Sequence, residues 1–226
     1  MEERKFVAVR KEEFNIKEFI KKTFGKGKIS SVQLEYTPVG EKIIVATHKP
    51  GLVIGKRGEK IAELTEVLKK KFKMENPHVD IAEIGKPEFD AQLVADEMAL
   101  SLERFGSIRF KAIAYKMLTR IKGAGALGSE LRLSGKLPSE RAKSWRFAFG
   151  YLKKTGDAAK VVSKAESVAK TLKGVVGIKV AILSPDAKLH DRINIDEEML
   201  ATIKSQAEFE EVEEEKPKKT RKKAKK

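Results

Sequence analysis

The sequence contains no cysteine and only three histidines. Without thiols the chain can form no disulfide scaffold, no thiolate zinc site and no cysteine nucleophile. The histidines, His48, His78 and His190, lie far apart and outside any metal-ligand spacing, so we expect them on the surface. The composition therefore predicts a protein without a metal ion and without a cofactor.

Long apolar runs are missing as well. No segment approaches the length that a transmembrane helix requires. The first residues, Met1-Glu2-Glu3-Arg4-Lys5, lack the apolar centre of a secretory signal. We therefore predict a cytoplasmic protein without a membrane partner.

Acidic residues are outnumbered. The chain carries 48 lysines and arginines against 33 aspartates and glutamates, a formal net charge of +15. Residues 208–226 hold six glutamates followed by eight basic residues, so this tail sums to +2 and the body before it carries +13. The tail has too few apolar residues to fold and is predicted to be disordered. The positive charge of the body indicates a polyanionic partner, and nucleic acid is the obvious candidate.

The apolar spacing of the first half predicts alternating helices and strands. A helix at 15–24 ends at Gly25-Lys26-Gly27, and an amphipathic helix carries Ile61, Leu64, Leu68 and Phe72 on one face. Strands are predicted at 29–36, 42–47 and 79–84. Gly85-Lys86-Pro87 marks a domain boundary.

The second half is predicted to contain two helices, at 90–104 and 107–122, followed by strands. Strands are expected at 130–137, through the aromatic residues 147–151, and at 176–183, with a basic loop at 138–146. The residues from 158 to 172 fit a helix by spacing and propensity. Asp90, Asp96 and Glu97 are expected on the surface of the first helix, where they make no catalytic site.

One glycine-containing segment carries the most specific chemistry, Val53-Ile54-Gly55-Lys56-Arg57-Gly58-Glu59-Lys60-Ile61. Two glycines three apart let the backbone bend and approach a sugar-phosphate chain closely. The loop precedes a helix, whose free amide groups attract anions, and Lys56, Arg57 and Lys60 add positive charge. Such a loop recognises the backbone of single-stranded nucleic acid. The alternative is a plain helix-entry turn with solvated lysines.

The segment resembles the signature of a K-homology domain, Val-Ile-Gly-x-x-Gly-x-x-Ile. The order of helices and strands around it is similar to the type II form of that fold. No glycine-lysine-serine or glycine-lysine-threonine follows a glycine loop, which disfavours a nucleotide-hydrolysing protein.

Two basic surfaces are predicted in the second half. On the helix at 107–122, Arg109, Lys116 and Arg120 fall on one stripe beside an apolar face, and that helix contains no acidic residue. The loop that follows the first strand interleaves basic residues with Trp145, and its RNA-contacting candidates are Lys136, Arg141, Lys143 and Arg146. A lone tryptophan is more often a core residue, so we do not expect Trp145 to stack on a base. An ordinary solvated face is the alternative for both surfaces.

Several linked motifs resemble the family of the universal third protein of the small ribosomal subunit, in its archaeal and eukaryotic form. They include Pro50-Gly51-Leu52-Val53-Ile54-Gly55, Ser134-Gly135-Lys136-Leu137, Arg141-Ala142-Lys143-Ser144 and Gly174-Val175-Val176-Gly177-Ile178. The likeness covers about residues 1–186.

The resemblance implies an α+β fold. A type II K-homology domain at 1–86 precedes a domain of two helices on a four-stranded sheet at 87–186, with an extension and tail at 187–226. It makes residues 158–172 a strand, against their propensity.

The resemblance also implies the partners. They are small-subunit ribosomal RNA in the head, messenger RNA at its entry channel, and neighbouring ribosomal proteins. Lys111 fills the first of two adjacent positions that are basic in some members, whereas Ala112 fills the second. A free K-homology factor in RNA processing is the alternative function, and an enzyme ranks third.

Overall fold

A computed structural model describes residues 2–38, 40–72 and 74–189. His190 and the tail at 208–226 lie outside these residues. The first half contains three helices and three strands. These are α1 (Glu2–Phe24), β1 (Ile29–Thr37), β2 (Gly40–Thr47), α2 (Pro50–Ile54), α3 (Glu59–Phe72) and β3 (His78–Glu83). A short 3-10 turn, Lys56–Gly58, joins α2 to α3.

The strands of the first half form one mixed sheet in the order β1-β2-β3. Strand β2 pairs antiparallel with β1, where Val32 faces Val45, and parallel with β3, where Val45 faces Ile81. A parallel pair needs a crossover connection, and α2 and α3 supply it. This is the helix and strand order of the type II K-homology fold.

Helix α1 begins well before the predicted residue 15. Its apolar contacts with the sheet come from Ile16, Ile20 and Phe24, which are buried. The residues from 3 to 12 are exposed, and the apolar residues among them, such as Phe6, Val7 and Val9, pack on no core. The segment stays helical because most of its residues are good helix formers, and Arg10 pairs with Glu13 one turn later at 2.8 Å.

In the part of the second half that the structure describes, up to residue 189, there are two α-helices and four strands. These are α4 (Ala91–Phe105), α5 (Phe110–Gly123), β4 (Gly128–Gly135), β5 (Lys143–Gly150), β6 (Ser163–Thr171) and β7 (Gly174–Leu183). The sheet order is β5-β4-β7-β6, with every neighbouring pair antiparallel. Both helices contribute to one core with the sheet, and Leu102, Phe110, Leu131 and Ile178 are almost fully buried there. The predicted α+β fold class is confirmed.

Some predicted boundaries in the second half were wrong. The basic loop was expected to reach residue 146, but β5 begins at Lys143 and ends before Tyr151. Strand β4 begins two residues earlier than predicted and ends at Gly135. The family likeness made residues 158–172 a strand, which is correct for β6 but wrong at the start, where Asp157–Lys160 form a 3-10 turn. In β6, Ser167 and Ala169 are buried while Val168 is exposed, a period of two that small side chains conceal in the sequence.

Two of the three carboxylates expected on the surface of α4 lie elsewhere. Asp90 is the N-cap of the helix, and its side chain accepts a hydrogen bond from the amide of Gln92 at 2.8 Å. Asp96 is buried, with one oxygen accepting from the Ser167 hydroxyl at 2.8 Å. Only Glu97 is exposed as expected. The sequence concealed the burial of Asp96 because Ser167 lies 71 residues further along the chain.

The turn between α1 and β1 contacts the second half. The amide of Gly27 donates to Asp96 at 3.0 Å, and the ammonium group of Lys26 donates to Glu103 at 2.9 Å. Lys26 also donates to the carbonyl oxygen of Val168 at 2.7 Å. These contacts tie the first half to α4 and β6. The domain boundary between 86 and 87 falls between the two sheets and stays a prediction.

Candidate nucleic-acid interface

The glycine loop is held in a conformation that other residues rarely adopt. Gly55 has φ 75° and ψ −173°, and its amide donates to the carbonyl oxygen of Gly51 at 3.1 Å. A Cβ atom at Gly55 would lie 2.8 Å from Cγ of Lys60, so Gly55 is needed both for its backbone angles and for its close contact. The stem of Lys60 is thereby packed across the loop, and its ammonium group lies 3.4 Å from the carbonyl oxygen of Leu52.

The basic residues between the glycines face solvent. Arg57 is the one described non-glycine residue with positive φ, at 54°, and Gly58 follows with φ 80°. Lys56 and Arg57 are exposed, and neither makes an ion pair with another residue of the described ranges. Around Gly58 there is open space, since a Cβ atom added there would meet no described atom within 4 Å. The loop therefore offers open backbone and two free cations at the start of α3, an arrangement suited to phosphate.

In the structure, the three residues of the predicted basic stripe on α5 differ in their ion pairing. Arg109 and Lys116 are exposed and make no ion pair within the described residues, whereas Arg120 is bound to two carboxylates. Its guanidinium lies 3.0 Å from Glu88 and 2.8 Å from Glu97. These hydrogen bonds with carboxylates raise the pKa of Arg120. The helix itself has no acidic residue, but its neighbours in the fold supply two.

Lys111 and Trp145 connect α5 to β5. The ammonium group of Lys111 lies 4.8 Å from the centre of the Trp145 ring, a cation-π contact. Trp145 also packs against Phe110 at 5.4 Å between ring centres, and its indole nitrogen is buried without an acceptor among the described residues. Trp145 is thus already in contact with Phe110 and Lys111, and the expectation that it stacks on no base stays a prediction.

The predicted residues of the basic loop do not share one surface. Lys136, Arg141 and Lys143 are exposed. Because side chains alternate along a strand, Lys143 and Trp145 lie on the helix side of β5 while Arg146 lies on the opposite side. There Arg146 contacts Glu130 at 3.0 Å.

Residues that were not predicted join Arg146 on that side of the sheet. Glu130 is only 10% exposed in its side chain and is surrounded by Arg132 at 3.2 Å, Arg146 at 3.0 Å and Lys154 at 2.6 Å. Burial opposes ionisation of Glu130, but the three cations together lower the pKa of its carboxyl. The outward alternation of Arg132 was visible in the sequence, whereas its neighbours depend on strand pairing.

A K-homology domain model matches residues 15–89, and a model of the ribosomal protein S3, C-terminal domain, matches residues 98–182. The order of these matches, on the fold described above, defines a ribosomal protein with an amino-terminal K-homology domain. The chain is 42% identical over 199 residues to the small ribosomal subunit protein uS3 of Methanocaldococcus jannaschii, an alignment covering 88% of this chain and 95% of that protein. The chain belongs to the uS3 family of small ribosomal subunit proteins.

Other relatives carry the same name. The uS3 protein of Archaeoglobus fulgidus is 42% identical over 194 residues, which are 85% of this chain and 83% of the relative. That of Methanococcus maripaludis strain C5 is 37% identical over 216 residues, 95% of this chain and 100% of the relative.

Family membership confirms several predictions. The chain is a structural constituent of the ribosome and not an enzyme, and its location is the ribosome in the cytoplasm. Among the residues that the structure describes, no helix is both long and apolar enough to cross a membrane.

Proposed function

We propose that the chain binds small-subunit ribosomal RNA in the head of the subunit and helps to form the entry channel for messenger RNA. The main support for the proposal is the glycine loop just before α3. There Lys56 and Arg57 are exposed and make no ion pair within the described residues, and the backbone around Gly58 is open. Phosphate contacts of this kind position a protein on RNA without reading its sequence. Neighbouring small-subunit proteins are the further partners.

The proposal assigns the RNA-contacting residues to separate elements. The glycine loop contributes Gly55, Lys56, Arg57, Gly58 and Lys60. The second half contributes Arg109, Lys111, Lys116, Lys136, Arg141, Lys143 and Arg146, whereas Arg120 is already bound by two carboxylates. We also propose domains at 1–86 and 87–186, with 187–226 as an extension.

We propose that Lys111 is the main residue that contacts messenger RNA. This residue and Ala112 occupy the two positions that are basic in some family members, so the chain offers one cation where those members offer two. We expect a weaker hold on incoming messenger RNA than a pair of cations would give.

The full chain with Lys56→Glu and Arg57→Glu tests the proposal. Binding to a 20-nucleotide uridine RNA should weaken at least about ten-fold at 0.1 M salt, because each lost phosphate contact removes a counterion-release contribution. The control is Lys5→Glu with Lys11→Glu, two exposed lysines of α1 with the same charge change.

Incorporation into small subunits completes the test. The wild-type chain should sediment with salt-washed small subunits, and the loop variant should do so less well than the control. If the wild-type chain does not bind RNA at low salt, or is absent from salt-washed small subunits, the proposed function is wrong.

A further inference from the structure

The side of the four-stranded sheet that faces away from α4 and α5 is called the open face here. In the central rows of this face, strand alternation and pairing place three residues of each strand. They are Ser144, Arg146 and Ala148 on β5, Glu130, Arg132 and Ser134 on β4, Gly177, Lys179 and Ala181 on β7, and Lys164, Glu166 and Val168 on β6.

One row across the open face brings like charges together. Arg132 pairs directly with Arg146 on one side and with Lys179 on the other. Neighbouring strands are about 4.8 Å apart, so three cations lie within about 10 Å. Like charges directly opposite each other destabilise a sheet. A sheet surface selected only for stability would alternate the signs of its charges along this row.

Two carboxylates form ion pairs with the cations of this row, but they are too few to neutralise its charge. Glu130 contacts Arg132, Arg146 and Lys154, and Glu166 contacts Lys179 at 2.6 Å. With Lys164, the central rows and the adjoining Lys154 bring together five cations and two carboxylates. Each of the four paired cations remains at least half exposed in its side chain, between 50% and 59%. Each therefore keeps N–H groups directed at solvent.

The residues around the row are small. Ala148 and Ala181 flank Glu130, and Ser134, Ser144 and Gly177 lie on the other side of Arg132. A depression of about 480 Å³ is lined in part by Glu130, Arg132, Lys164 and Lys179. Among the described residues, these small side chains leave the cations accessible to a large partner.

The strands present no aromatic side chain on this face. Unpaired bases are held by stacking on aromatic rings or on arginine guanidinium planes, so a single strand would find only Arg132 and Arg146 here, and Glu130 already holds both of them. Helical RNA is recognised by its shape and its phosphates, which is the chemistry this surface offers.

We propose that the open face is a second RNA-binding surface, which takes the phosphates of a helical RNA segment through Arg132, Arg146, Lys154, Lys164 and Lys179. Of these five residues, Arg146 alone was among the RNA-contacting candidates predicted from the sequence. The proposal rests on the proposed ribosomal RNA binding and adds a site on the opposite side of the second sheet from α5.

The test compares two full-length variants that each lose two positive charges, Arg132→Gln with Lys179→Gln on the open face and Lys5→Gln with Lys11→Gln on α1. The probes are a 20-base-pair RNA hairpin and a 20-nucleotide uridine RNA, titrated between 0.05 and 0.3 M salt. Both RNAs are roughly as long as the segments that RNA-binding domains of this kind contact. Thermal unfolding checks the fold, and the open-face variant should melt close to wild type, because it loses two partly exposed ion pairs together with the repulsion between neighbouring cations.

We expect the open-face variant to bind the hairpin about 25-fold more weakly at 0.1 M salt, with a salt slope lower by between one and two. The control should lose much less, and uridine RNA binding should change little in either variant. Equal losses in both variants, or a loss confined to uridine RNA, would overturn the proposal while the proposed function stands. Failure of the wild-type chain to bind either RNA overturns both.

Discussion

The amide of Gly27 and the carboxylate of Asp96 form a hydrogen bond of 3.0 Å that joins the two halves of the protein. The other oxygen of Asp96 accepts from Ser167 at 2.8 Å and from Gln92 at 3.1 Å. One buried carboxylate thus connects the turn after α1, helix α4 and strand β6. Its three donors satisfy a charge that would otherwise be costly to bury.

Replacing Asp96 with alanine should therefore destabilise the protein strongly. We expect a loss of about 2–4 kcal/mol in the free energy of unfolding, because buried donors are left without their charged acceptor. Glu97→Ala is the matched control, since Glu97 is the next residue and makes a surface ion pair with Arg120 at 2.8 Å. That change should cost less than about 1 kcal/mol. Urea unfolding measures both, and similar losses would contradict the role of Asp96.

The way in which the free energy of unfolding falls at acidic pH should depend on Glu103. The amide of Lys170 and the ammonium group of Lys26 lower the pKa of Glu103 below its ordinary value of 4.5. A carboxyl whose pKa is lower in the folded state stabilises the protein above that ordinary value, and the contribution disappears as the pH falls through the lowered pKa.

Glu103→Gln should consequently cost about 1 kcal/mol at pH 7 and much less near pH 3, a modest value because the pair is partly solvated. Urea unfolding at the two pH values measures the difference, with Glu63→Gln on the exposed face of α3 as the control. A Glu103→Gln deficit that persists undiminished at pH 3 would show that the charge is not responsible.

The two glycines of the loop should respond differently to alanine. Gly55 combines φ 75° with ψ −173°, a region open almost only to glycine, and Lys60 leaves no room for a Cβ atom. We expect Gly55→Ala to cost about 2–3 kcal/mol. Gly58→Ala should cost only about 1–2 kcal/mol, from its positive φ alone, because the space around it is open. Chemical unfolding of both variants decides, and a larger loss at Gly58 would contradict the packing of Lys60.

Arg120 and Lys116 should contribute unequally to RNA binding, although the helical wheel places them on one stripe. Arg120 is occupied by Glu88 and Glu97, whereas Lys116 has no ion-pair partner in the described ranges. Lys116→Gln should lower the salt slope of RNA binding by about one unit, and Arg120→Gln should leave it nearly unchanged. Titrations at several salt concentrations measure both slopes. The opposite ranking would mean that RNA displaces the carboxylates from Arg120.

The features that were predicted from sequence depend on local patterns. The glycine loop, the strands β1 and β2, and the apolar face of α3 all follow from spacings within about ten residues. The first half of α1 was missed because it buries nothing. Strand β6 was recovered only through the family likeness, since its inward residues are as small as Ser167 and Ala169.

The interactions that escaped prediction join distant residues. Glu88 lies 32 residues from Arg120, and Gly27 lies 69 residues from Asp96. The open face depends in the same way on β4 pairing with β7. No spacing within a helix or strand reports which acid meets which base once these elements pack together. The total charge of a surface was therefore predictable from the sequence. Which of its cations are free, and which are paired with carboxylates, was not predictable.

The pairing of β4 with β7 also has a consequence for synthesis of the chain. Leu131 faces Val180, about 50 residues later, so the central pair of the second sheet cannot form until nearly all of that half has been translated. The hairpin of β1 and β2 is complete after Thr47. During translation the first half can therefore fold early. Helices α4 and α5 are then already available to cover the apolar side of β4 and β5, whereas the edge of β4 that pairs with β7 stays unpaired. Nascent chains of this protein should be most prone to aggregation in that interval, between the release of β5 and the arrival of β7.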